Sequence, residues 1–114
     1  MESILTSIKK MLGIAEDYEH FDSDLIMHIN TVFLTLSQLG IGSSKSFMIE
    51  DKSATWNDFI SDNDNLEAVK TYIYLRVRLI FDPPLSSVVI ECMNREIKEL
   101  EFRLNIEAES GESE

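Results

Sequence analysis

The stretch from Leu66 to Pro84 constrains the fold more than any other part of the chain. Leu66, Val69, Ile73, Val77 and Ile80 recur at helical spacing and form one apolar stripe, while Ala68, Tyr72, Leu75 and Leu79 form a second. A helix that is apolar around most of its circumference must be covered on several sides, so it is predicted to be the central helix of its domain. Asp64, Asn65 and Glu67 give it the cap and third-position acid of a helix start, although a capping box prefers Ser or Thr in first place. Asp82-Pro83-Pro84 ends it, because Pro83 disfavours helical geometry at Asp82 and neither proline can donate a backbone hydrogen bond.

Ser86 and Ser87 reopen a helix in which Val89, Met93, Ile97, Leu100 and Leu104 step by four, four, three and four, with Glu91, Arg95, Glu96, Lys98, Glu99 and Glu101 on the solvated side. The short turn from Asp82 to Leu85 makes these two long helices an antiparallel pair. Residues 106–114 lose the periodicity and read as an acidic flexible tail, leaving residues 1–105 as a single domain.

The first half adds two more helices. Ile4, Leu5, Ile8, Met11 and Leu12, with Ser7, Lys9 and Lys10 between them, predict a short amphipathic helix stopped by Gly13 in the left-handed conformation. After a polar connection, Asp22, Ser23 and Asp24 place acceptors and negative charge at the start of the next helix. There Leu25, Ile29, Val32, Leu36 and Leu39 form a core stripe up to Gly40 and Gly42. Met27 and Leu34 lie a heptad apart on another side, which fits either a broader buried face or an exposed apolar patch. The fold class is all-α: a small bundle of about four helices, the second helix completing a three-helix core with the long pair.

Residues 41–53 break the helical pattern. Ser43 to Ser46 read as a loop leading to Phe47-Met48-Ile49, a short strand or extended segment. A lone strand leaves its backbone unsatisfied, so this one needs a hairpin partner or an edge on a neighbouring subunit. Thr55-Trp56-Asn57-Asp58 has the form of a capping start, and Phe59 and Ile60 complete one turn that tucks Trp56 inward.

The 114 residues are 44% hydrophobic, enough for a core without disulfides. The 21 acidic against 10 basic residues give a net charge of −11, which repels phosphates and removes the electrostatic attraction on which non-specific nucleic-acid binding depends. Such a surface favours basic protein partners and suits a wall past which DNA slides. The lone Cys92 excludes a disulfide framework and a cysteine metal cluster, and its place beside the apolar stripe predicts a buried thiol. No apolar run of about 18 residues is present for a membrane span, so the reading is a soluble cytoplasmic product.

No catalytic or cofactor site emerges. His20 and His28 have no second ligand at metal spacing, and His28 beside Asp24 is an ordinary helical surface pair. Asp62-Asn63-Asp64-Asn65 begins like a calcium loop, but Glu67 and Ile73 stand where its glycine and glutamate belong. No phosphate-cradling glycine motif or nucleophile elbow occurs. Arg76 and Arg78 are cations on different sides of an apolar helix, either pairing locally over apolar surface or reaching a carboxylate on a neighbour.

Met11-Leu12-Gly13, the Asp-rich start of the second helix, the run from Leu66 through Phe81-Asp82-Pro83-Pro84, and the last helix with Glu99-Leu100-Glu101-Phe102-Arg103-Leu104 together resemble the head-tail connector proteins of long-tailed double-stranded DNA phages. The resemblance spans roughly Ile4 to Leu104 and lies in the order and spacing of these motifs. It implies a non-enzymatic virion protein without cofactors, placed at the head-tail junction after assembly in the host cytoplasm. As a homo-oligomeric ring, commonly twelvefold, it would sit beneath the portal protein, extend the DNA channel without reading sequence, and meet a downstream stopper or tail-completion protein. Candidate subunit or portal contacts are Met27, Leu34, Phe47, Met48, Ile49, Arg76, Arg78, Pro83 and Pro84. The rival reading is a small acidic regulator that occupies a basic site on a host or phage protein.

Overall fold

The structure is a computed structural model that describes residues 2–41, 47–60 and 65–112, the side chains of 107–112 excepted. Among the described residues five helices follow in order: α1 (Ile4–Leu12), α2 (Asp22–Gln38), α3 (Trp56–Phe59), α4 (Leu66–Phe81) and α5 (Ser87–Glu112). The all-α class is as expected. Among the described residues the sole β-type pairing is an isolated antiparallel bridge between Ser3 and Thr55. The expected loop at Ser43 to Ser46 and the start of the calcium-like segment, Asp62 to Asp64, lie outside the described residues.

The helix that is apolar all round is the central one. α1, α2 and α5 all pack on α4, which buries Val69, Tyr72, Ile73, Leu75 and Val77. Tyr72 meets Glu101 and Ala68 shares a hollow with Leu104, so α4 and α5 run antiparallel. Ile80 departs from its expected stripe and is 53% exposed. Phe81, one residue on, packs edge-to-face on Phe21 with centroids 5.1 Å apart, covering that last turn from one side only.

In α5, Met93, Ile97, Leu100 and Leu104 are buried as predicted, but Val89 is exposed. The packed seam therefore starts at Met93, and Cys92, expected to be buried, is exposed instead. α5 also continues to Glu112, past the point where a tail was expected. Beyond Leu104 the apolar repeat lapses, yet Glu and Ala hold a helix through their own propensity. With 26 residues against 16, α5 is about 39 Å long and α4 about 24 Å at the helical rise.

The N-terminal helix is more deeply buried than an amphipathic reading allows, since Thr6, Ser7 and Lys9 are buried beside Ile4, Leu5 and Ile8. Lys9 is satisfied at three points: its Nζ donates to the carbonyls of Glu16 (2.9 Å) and Tyr18 (2.7 Å) and pairs with Asp22 Oδ1 at 2.9 Å. Asp22 is consequently not a cap; Phe21 takes that position without a side-chain hydrogen bond, and Asp22 and Asp24 act as first-turn acids. Gly13 stops α1 with φ 81°, as expected.

Residues 47–50 form no strand, and no second strand is required. The side-chain amide of Asn30 donates to the carbonyl of Ile49 (2.9 Å) and accepts from its amide (2.8 Å), so a helix side chain supplies the pairing. Ile49 is buried, and Phe47 joins Phe33 and Phe59 in a ring cluster with centroids 4.6–5.3 Å apart. Trp56 is fully buried, its Nε1 donating to Ser7 Oγ at 2.9 Å, while the Thr55 amide donates to Asp58 Oδ2 at 2.8 Å as in a capping box.

Candidate functional site

The extended segment held by Asn30 forms one bank of a groove whose other bank is α2. Ile26, Met27, Leu34, Phe47 and Met48 supply its apolar wall, and Ser23, Asn30 and Thr31 its polar rim, around a hollow of about 530 Å³. Among the described residues no Asp, Glu, Lys or Arg lines it. Met27, Leu34 and Met48 are 58%, 50% and 65% exposed, so of the two readings of the Met27–Leu34 side the exposed patch is the one found. Four of the sequence-selected residues thus meet at one site, with Ile49 as their buried support.

The other selected residues lie elsewhere. Arg76 is engaged inside the chain: its Nη1 donates to Glu101 Oε2 (3.1 Å) and Tyr72 Oη (3.2 Å), and the Tyr72 hydroxyl donates to the same Glu101 oxygen at 2.7 Å. Burial first, and the bond to Glu101 second, push the Tyr72 hydroxyl well above the ordinary phenol range. Arg78 donates from Nη1 to Tyr74 Oη at 2.8 Å, while its buried Nε has no hydrogen-bond partner among the described residues.

Pro83 is exposed and Pro84 half-buried, and they belong to a second apolar surface. There Leu85 stands fully exposed, with Val88 at 66% and Val89 and Ile80 close to half. Sequence reasoning missed these four because it assigned Val89 and Ile80 to core stripes. The available signal was the uncharged run from Pro83 to Ile90.

What the groove presents is an exposed apolar face suited to docking. Among the described residues no group of three His, Cys, Asp or Glu side chains is placed to hold a metal ion, and no helix is long and apolar enough to cross a membrane. The acidic surface includes Glu16, Asp17 and Glu19 near Lys52. Asp51 accepts from Ser53 there, first through the hydroxyl and then through the amide, which holds its carboxyl below the usual range.

Compared with known proteins, residues 4–111 match the family model described as phage connector protein. No curated protein and no solved structure matches the chain.

Proposed function

Because the chain belongs to the phage connector protein family, we propose that it works as one subunit of a ring under the portal, extending the DNA channel and joining head to tail. Membership makes it a connector-type structural protein of the virion. The observation that best supports the finer reading is the α2 groove, an apolar face that no described residue covers and no described charge lines. Exposed apolar patches rimmed by polar groups mark protein–protein contacts. The net charge of −11 suits a channel wall that DNA passes without being gripped.

A regulator that imitates nucleic-acid charge needs its acidic surface free and has no use for an apolar groove. The mass of the purified protein across a concentration series, alone and with the matching portal, tests the proposal. A large closed oligomer, or recruitment by portal in a fixed multiple, is expected. A monomer indifferent to portal would overturn it.

A further inference from the structure

Copies of a chain with net charge −11 repel one another, unless they meet through uncharged patches. The structure exposes two such patches. α2 carries no Asp, Glu, Lys or Arg from Leu25 to Gln38, and its Met27 and Leu34 face outward. The α4–α5 turn and the first turn of α5, Pro83 to Ile90, form the other.

The two patches differ in form. The first is a groove of about 530 Å³, room for several aliphatic side chains, whose thioethers Met27 and Met48 adjust to what enters. The second is a blunt aliphatic knob with Leu85 fully exposed and Val88 beside it. Two prolines fix the backbone leading into it, so little conformational freedom is lost when it is seated. A basic partner, which the rest of the surface favours, would find no carboxylate among the described residues of the groove lining.

We propose that the Pro83–Ile90 knob of one copy seats in the α2–Met48 groove of the next. This rests on the ring reading and names the faces that meet. The contact is heterologous: every copy gives a knob and receives one, so repetition closes a ring when the rotation between copies allows.

Leu34→Asp spoils the groove and Leu85→Asp the knob, and both positions are exposed enough for the fold to survive, which thermal melting checks. The masses of wild type, each variant and their equimolar mixture are measured alone and with portal. Each variant alone is expected to lose self-association, while the mixture forms two-chain complexes and stops, since one intact groove and one intact knob remain between the variants. Variants that assemble like wild type would overturn the knob-in-groove contact and leave the ring standing. Retained assembly with lost portal recruitment would give the groove to the portal instead. A mixture that stays monomeric would overturn the pairing, self-association of one variant alone would point to a symmetric contact through its intact patch, and a wild type that is monomeric under every condition would remove the ring reading itself.

Discussion

Asn30 and Ile49 are joined twice, the side-chain amide of one meeting both backbone groups of the other at 2.9 and 2.8 Å. The bank of the groove that carries Phe47 and Met48 hangs on that pair. Asn30→Ala leaves the amide and carbonyl of buried Ile49 unsatisfied, and at roughly 1–3 kcal/mol each a loss of about 2–6 kcal/mol is expected in denaturant titration. A loss below about 1 kcal/mol would mean that water replaces the amide there.

Lys9 is the one buried cation among the described residues, and removing it strands Asp22 and two carbonyls. Asp22 keeps partial access to water, so Lys9→Met is expected to cost about 2–3 kcal/mol, less than for a fully buried pair. With Asp22→Asn and the double variant, urea unfolding should give a coupling energy above about 1 kcal/mol. Additive losses would assign the anchoring to the carbonyls of Glu16 and Tyr18.

Tyr72 gives the fold an alkaline limit. Its folded-state pKa lies above the unfolded value of about 10, so its contribution is complete below that pH and is lost as pH rises toward the folded-state pKa. The stability difference between wild type and Tyr72→Phe should hold steady from pH 7 to 9 and shrink above pH 10. At neutral pH it should be about 1 kcal/mol, the worth of the bond to Glu101. A difference that does not change with pH would place the hydroxyl in an environment like water.

The helices were legible wherever periodicity and punctuation agreed: the double stripe of α4, Gly13, Pro83 with Pro84, and the Thr55–Asp58 start. A stripe reports which face packs but not how far the opposing helix extends. That is why Ile80, Val89 and Cys92 were misplaced at the exposed end of the α4–α5 pair, and why α5 outran its apolar repeat. Polarity patterns also put Ser7 and Lys9 on the solvent side, because the partners that make their burial affordable, Trp56 and Asp22, lie far along the chain. The heptad of Met27 and Leu34 marks one bank of the groove and the run Phe47-Met48-Ile49 the other, but the pairing across 19 residues that brings the banks together leaves no local trace.

Trp56 bonded to Ser7, and Ile4 bonded to Ala54, also set an order of events during synthesis. α1 packs on α4 as well as on α2, and its Ile4, Leu5 and Ile8 lack the α4 surface until Phe81 has emerged. At roughly 5–20 residues per second that wait lasts several seconds. Until then α1 stands open to chaperones and proteases, and Met93, Ile97, Leu100 and Leu104 of α5 complete the core after it.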